Sequence, residues 1–489
     1  MHQKREYIPS DTEDPVLNRK IDTLQLSPDS KRYMRIVAAI AAICGGLYGY
    51  DTGIIAGALL LITQEFHLGH TAQEMVASAI LAGAVIGALA AGWLSLKYGR
   101  RQTVKIVTGV FVLGAIACSL APNVQTLIAA RVFLGFAVGG ATQVVPMYIS
   151  ELAPASKRGN MVTMFNVAIG IGILLANIIG FLLTGIWSWR TMIVVSAAPA
   201  AFVFVAMFFL PRSPRWAAEN IGMDEAVSIL SRVRSSREEV REEVHEIHEI
   251  AQHVDPQSKG WHGIAQPWVR PALWAALGVA FFTQCCGLEM MIYYTPTFLS
   301  NVGFGPSSAL LSALGVAIVY AIMTTLGCLY VDRIGRRRLV LITAPGSALS
   351  LVGLGIMFAI GAKGGVGGWL VIAFLLLFMM FNSGGIQVVG WLLGSEMFPL
   401  GMRGQATSLH AAMLWGSDLV VTGTALTLVQ AITLSGAMWF YAAVNLASFF
   451  YVLYLVPETA GASLEDIESA LRRGRFRPTR GHTSLAAAA

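Results

Sequence analysis

Charge is scarce in this chain. Only 13% of its 489 residues are Asp, Glu, Lys or Arg, while 55% are apolar; a soluble domain carries roughly a quarter charged residues. That shortage excludes an ordinary soluble enzyme. Cysteine is scarce too, and five thiols are too few for a disulfide-stapled secreted scaffold. Cys285 and Cys286 are adjacent, point about 100° apart on a helix, and make poor joint metal ligands. His67 and His70 fall in a loop between apolar runs, with nothing beside them to hold a metal. A phosphate-binding G-x-x-x-x-G-K-[ST] loop is missing, which argues against a nucleotide-driven enzyme. No metal or cofactor is expected. The fifty glycines follow no three-residue period, which excludes a collagen-like chain. The polar stretch ahead of the first apolar run is longer than the basic segment of a cleavable signal peptide.

Long hydrophobic runs are what the chain has in abundance. Its mean hydropathy is +0.63, and at ~20 residues per crossing there is apolar sequence for about a dozen spans. The windows fall near 36–62, 75–95, 103–121, 124–147, 161–184, 190–210, 272–300, 307–329, 339–361, 367–393, 405–431 and 435–456. An even number of spans puts both ends of the chain on one side. All Lys and Arg except Arg131, Arg190 and Lys363 then lie on that side, which marks it as cytoplasmic. The net charge of +6 is thus a matter of topology, and nucleic acid is not an expected partner. These features predict a multi-pass protein of the cell (plasma, inner) membrane, with the lipid bilayer around it and both termini cytoplasmic.

The sequence is also a duplication. Gly99-Arg100-Arg101 after the second span is matched by Gly335-Arg336-Arg337 after the eighth. Glu151 precedes Arg158-Gly159 by the same interval at which Glu396 precedes Arg403-Gly404. The sixth and twelfth spans end at Pro211 and Pro457. Two six-span halves on one plan are a transporter architecture, with the substrate site between them at mid-membrane. The predicted organisation is an N-terminal tail over 1–35, a six-helix half over 36–210, a linker over 211–271, a second half over 272–456 and a C-terminal tail over 457–489. Within the linker, apolar residues three or four apart in DEAVSILSRVRSSREEVREEVHEIHEIAQ predict short amphipathic helices bracing the halves. The terminal Leu485-Ala486-Ala487-Ala488-Ala489 has no feature of a folded segment.

Several stretches, in order, resemble the sugar porter family of the major facilitator superfamily. Gly49-Tyr50-Asp51-Thr52 is similar to the family's G-Y-D-T, and Pro146 to Glu151 with Arg158-Gly159 to P-x-Y-x-x-E … R-G. Pro211-Arg212-Ser213-Pro214-Arg215-Trp216 matches P-E-S-P-R-W except at Arg212. Pro457-Glu458-Thr459, with Ser463 to Glu468, matches the motif that ends the second half. The resemblance implies an all-α membrane protein of twelve transmembrane helices in two six-helix halves, the major facilitator fold, with a cytoplasmic helical linker. It implies alternating-access, proton-coupled uptake (symport) of a small polar substrate, a sugar or polyol, and no enzymatic activity. Glu151, Arg158, Glu396 and Arg403, with Arg100 and Arg336, would form an inner gate. Leu96 stands where the family has an acid, while Asp332 keeps it in the second half, so the first-half latch is expected to be the weaker.

Ionisable residues inside spans are costly and mark ion or substrate paths. Asp51, Arg131, Glu289 and Asp418 are such residues. The resemblance implies that Asp51 carries the proton and Arg131 tunes it, since a guanidinium favours the ionised form of a carboxyl that burial disfavours. The pocket departs further from the family. Along Thr283 to Tyr294, Gln284, Gly287, Tyr293 and Tyr294 keep the pattern, but Glu289 replaces an Asn and Thr283 a Gln. Asn166 stands for a Gln, Tyr320 for an Asn, Leu414 for an amide and Asp418 for an Asn, while Trp391 and Trp415 are kept. The expected substrate contacts are Asn166, Gln284, Glu289, Tyr293, Trp391 and Asp418. Amides both donate to and accept from hydroxyls, whereas ionised carboxylates only accept. The exchange therefore leaves open a many-hydroxyl ligand, a cationic one, a second proton site, or a Glu289 bonded to Tyr293 one turn on. Rival readings are the same fold carrying an organic cation or organic acid, and a nutrient sensor that does not transport.

Overall fold

The computed structural model describes residues 21, 30–154, 158–183, 186–253, 260–301, 303–362, 364–462 and 464–478. Most of the expected N-terminal tail, and the C-terminal stretch with Leu485 to Ala489, lie outside the described residues. Five helices of the first half are α1 (Ser30–Phe66), α2 (His70–Tyr98), α3 (Arg100–Ser119), α4 (Val124–Leu152) and α5 (Arg158–Leu183), and its sixth crossing is made of α6 (Trp189–Val194) and α7 (Ala197–Ala206). The linker carries α8 (Pro214–Asn220), α9 (Met223–Val233), α10 (Arg237–His253) and α11 (Gly260–Ile264). The second half comprises α12 (Arg270–Cys285), α13 (Leu288–Asn301), α14 (Pro306–Ile334), α15 (Arg336–Ala359), α16 (Gly365–Gly384), α17 (Ile386–Glu396) and α18 (Arg403–Leu455), and α19 (Leu464–Arg472) follows it.

Among the described residues, eleven stretches are long and apolar enough to cross a membrane. One of them, α18, is broken at Thr433 (φ 68°), between the two windows expected there, so the chain crosses twelve times. The Thr433 hydroxyl accepts the Gly436 N–H at 3.2 Å and starts the last crossing as a helix cap does.

Three expected single spans are interrupted. The sixth bends between α6 and α7, just before Pro199, which has no N–H for the helix ladder. The seventh stops at Gly287, whose φ of 91° suits glycine and where a Cβ would sit 2.7 Å from the Tyr441 ring. The Cys286 carbonyl exposed by that break accepts the Asn445 amide at 2.9 Å. The tenth stops at Gly385, where a Cβ would meet the Thr343 hydroxyl at 1.9 Å.

Membrane helices gain little from hydrophobic association and pack by close approach at small residues. The first half does this along two stripes. A Cβ on Gly49 of α1 would lie 1.9 Å from the Ile169 carbonyl oxygen of α5, and one on Gly53 2.8 Å from that of Ile173. Between α2 and α4, Gly83, Gly135 and Gly139 approach the opposing backbone as closely. The halves meet where α18 lies along α2, α14 along α5 and α13 along α1.

The linker is a small helical bundle. Val227, Leu230, Val240, Val244 and Ile247 form its own core with Ile21. Buried Arg234 pairs with Glu243 at 2.6 Å and donates to the Leu152 carbonyl at 2.7 Å, tying the bundle to the end of α4. Trp216 donates to the Leu96 carbonyl at 2.9 Å, while α11 packs on α18. The amphipathic helices α9 and α10 are thus tied to the first half, and the linker segment that packs on the second half is α11. The five cysteines are buried, and His67, in the turn before α2, and His70, the first residue of α2, are exposed.

Candidate functional site

The polar residues of the core lie around the seam between halves. Asp51 on α1 is 3% exposed and Arg131 on α4 fully buried. Arg131 acts electrostatically on Asp51, yet the two make no ion-pair contact. The guanidinium reaches only the Ala77 carbonyl, at 3.5 Å, and its Nε and Nη1 have no partner. An unpaired buried guanidinium is costly, so this Arg has unused capacity for a carboxylate.

The break at Gly287 sets the other side of the seam. Gln284 closes the last turn of α12, fully buried, with neither amide atom hydrogen-bonded. Glu289 opens α13, also buried, with Oε2 unpartnered. Tyr293 is buried one turn on, and no Glu289–Tyr293 hydrogen bond forms. Asp418 on α18 accepts the Thr422 hydroxyl at 2.8 Å and lies close enough to Glu289 to act on it electrostatically. Tyr320, at the position of a family Asn, is another electrostatic neighbour of Glu289. Gln387, in the first turn of α17, is buried with its Oε1 unpartnered. Buried polar atoms are ordinarily hydrogen-bonded; so many orphans at helix breaks mark a place built to hold something polar.

Aromatic rings cross the seam beside this cluster. Tyr48 of α1 lies 5.1 Å from Trp415 and 6.1 Å from Trp391, and the two tryptophans are 5.9 Å apart. Trp415 also donates to Thr142 of α4 at 3.2 Å. Trp391 and Asn166 remain half-buried.

On the linker face, the acids expected at a gate are held within each half. Glu151 is bound by Arg100 at 2.9 Å and by the Ser213 hydroxyl. Glu396 is bound by Arg336 at 2.8 Å, and Arg336 reaches Asp332 at 2.6 Å. With Leu96 in place of an acid, Arg100 still has a second partner, since its Nη1 donates to the Ser95 carbonyl at 3.2 Å. Arg158 and Arg403 open α5 and α18 at matching places, although the Arg158 side chain is outside the described part of the structure.

Two groups escaped the sequence reading. Glu458 accepts the Arg336 N–H at 2.8 Å, a carboxylate on the N-terminus of α15; the Pro457-Glu458-Thr459 motif was its only signal. Glu74, buried in the first turns of α2, accepts both the N–H and the hydroxyl of Thr427 at 2.7 Å and links the halves at the end opposite the linker. An acid so near a helix start reads in sequence as a solvated first-turn residue.

The chain is similar to proteins that are named as transporters. The chain is 34% identical to an arabinose-proton symporter of Escherichia coli over 91% of this chain and 95% of that protein. It is 35% identical to CsbC of Bacillus subtilis, named as a probable metabolite transport protein, over 92% of this chain and 97% of that one. The solved structure of the proton:xylose symporter XylE bound to 6-bromo-6-deoxy-D-glucose, a major facilitator superfamily protein, is similar with a TM-score of 0.77 at 25% identity, covering 90% of this chain and 100% of that one. The sugar (and other) transporter model matches residues 37–471, and the chain belongs to that family.

Proposed function

We propose that this protein is an alternating-access symporter that brings a sugar or polyol into the cell together with a proton. Its linker and both termini would face the cytoplasm of a plasma membrane, on the side rich in Lys and Arg. The observation that carries the reading is the buried Asp51–Arg131 pair, separated but electrostatically linked, beside a cluster of unpartnered amides. Asp51 carries the proton. When the proton leaves, the free Nε and Nη1 of Arg131 receive the carboxylate, and the helices that carry the two residues shift relative to each other. Substrate hydroxyls satisfy Gln284 and Glu289, with Tyr293, Asn166 and Asp418 around them and Trp391 against the sugar's apolar face. The latches at Glu151–Arg100 and Glu396–Arg336, with Arg158 and Arg403, make the inner gate. The names of the related arabinose-proton and proton:xylose symporters support the same cargo class.

The carboxylates Glu289 and Asp418 favour a second reading, in which the cargo carries a positive charge. Uptake into proteoliposomes under an inward proton gradient separates the two, with a panel of pentoses, hexoses, inositols, linear polyols and organic cations and a protonophore control. Gradient-dependent uptake of a sugar or polyol is the expected result. Uptake of cations alone would replace the cargo, and uptake insensitive to the protonophore would make Asp51 structural.

A further inference from the structure

A cavity of about 350 Å³ lies away from the seam, where the linker meets the first half, lined by Lys97, Tyr98, Gln102, Ile106, Arg212 and Trp216. Its charged walls are of one sign. Lys97, at the end of α2, and Arg212, between α7 and α8, are exposed cations with no carboxylate in ion-pair contact among the described residues. The Lys97 ammonium only lies over the rings of Trp93 and Tyr98, at 4.9 and 5.1 Å. Lys105, one turn further along α3, sits over Phe208 at 4.5 Å, and both Arg101 and Arg212 act on it electrostatically. Two cations, Lys97 and Arg212, therefore line a cavity that no acid lines, with Lys105 close enough to feel Arg212.

The internal repeat shows what belongs in such a place. Gly335-Arg336-Arg337-Arg338 corresponds to Gly99-Arg100-Arg101-Gln102, and Pro457-Glu458 to Pro211-Arg212. In the second half the Glu458 carboxylate accepts the Arg336 and Arg338 N–H groups at 2.8 and 3.3 Å. In the first half Arg212 occupies the place of that acid. The start of α3, already partly positive from its helix dipole, thus has two added cations beside it instead of an anion. One repeat carries its anion as a side chain. The other has the space and charge for one supplied from outside.

We propose that this cavity binds the phosphate of an anionic phospholipid headgroup. The lipid source follows from position. Trp93, Tyr98, Ile106 and Phe208 are exposed large side chains around the cavity, forming an aromatic and apolar rim of the kind found at membrane–water boundaries. Basic pockets beside helices at such a boundary take anionic headgroups, each cation contributing about 1 kcal/mol. Acyl chains would lie along the lipid-facing side of α2 and α3 while Lys97, Arg212 and the Gln102 amide hold the phosphate. This inference does not depend on which solute the protein transports.

Native mass spectrometry of the purified, delipidated full chain exposed to equal amounts of phosphatidylglycerol and phosphatidylcholine tests it. The parent protein retains phosphatidylglycerol in preference. Arg212→Gln lowers that preference about fivefold, the effect of one lost charge, and Arg212→Glu, which supplies the acid of the second repeat, removes it. Because residue 212 is exposed, both variants keep the elution profile of the parent on size exclusion. Equal phosphatidylglycerol retention by parent and Arg212→Glu would overturn the site. Displacement of the lipid by soluble glycerol phosphate at matched concentration would overturn the lipid as its source.

Discussion

The two halves share one plan and divide the labour. The first half is built from helices notched by glycine: Gly49 and Gly53 against α5, Gly83, Gly135 and Gly139 between α2 and α4. Backbone packs on backbone there, and its buried charges include Asp51 and Arg131, with Glu74 at the end opposite the linker and Arg100 and Glu151 at the linker end. The second half interrupts its helices at Gly287 and Gly385 and leaves Gln284, Glu289 and Gln387 with unpartnered atoms around the breaks. Close packing resists local rearrangement, while a broken helix frees polar groups and lets a segment move. The closely packed half thus carries Asp51 and Arg131, and the interrupted half carries the polar groups left unpartnered at its helix breaks.

The largest effect expected from breaking this contrast is on the stiff half. Gly49→Val drives two methyl groups into the Ile169 backbone, where overpacking costs about 1–3 kcal/mol even when side chains can give way; folded protein recovered on size exclusion should fall to a small fraction of the parent's. In the second half, Gly416 has nothing within 4 Å of its would-be Cβ, so Gly416→Ala should melt at or slightly above the parent temperature. Equal recovery of Gly49→Val and parent would remove the stiffness argument.

Next is the division between coupling and binding. Asp51→Asn is expected to lower gradient-driven accumulation at least tenfold while sugar counterflow, which needs no net proton movement, persists. Loss of counterflow as well would put Asp51 in the binding wall. Glu289→Asn, by contrast, restores the amide that suits hydroxyls. It should leave sugar KM within about threefold or lower it, and abolish any uptake of a cationic analogue. A tenfold rise in sugar KM would show that the carboxylate itself holds the substrate.

The smallest effect concerns the latches. Leu96→Asp transplants the acid of the second half into the first. Arg100 is already held by Glu151, and Asp332, the second-half counterpart of Leu96, is 77% exposed in the side chain, so the added pair should change stability by less than ~1 kcal/mol. A larger shift in melting temperature would mean that Glu151 and the Ser95 carbonyl leave Arg100 short of a partner.

Much of this was legible in sequence because it depends on short-range properties. Twelve crossings follow from where apolar runs begin and end, and the break at Thr433 falls between two predicted windows. The duplication follows from spacing alone. The amphipathic linker pattern placed Val227, Leu230, Val240 and Val244 in a small core. The breaks were illegible, because Gly287 and Gly385 lie within windows that each read as a single span, and their need for glycine comes from Tyr441 and Thr343 on other helices.

Sequence by itself therefore determined the membrane setting, the number of crossings, the two-half plan and the set of polar residues kept inside, since hydrophobicity and repeats are properties of the chain read locally. Tertiary structure alone decided how those residues pair. It placed Arg131 out of contact with Asp51, gave Glu151 to Arg100 and Ser213, set Glu458 on the start of α15, and brought Glu74 across the seam to Thr427. Such pairings join residues tens to hundreds of positions apart, and a hydrogen bond is settled by fractions of an ångström that only the packed helices fix.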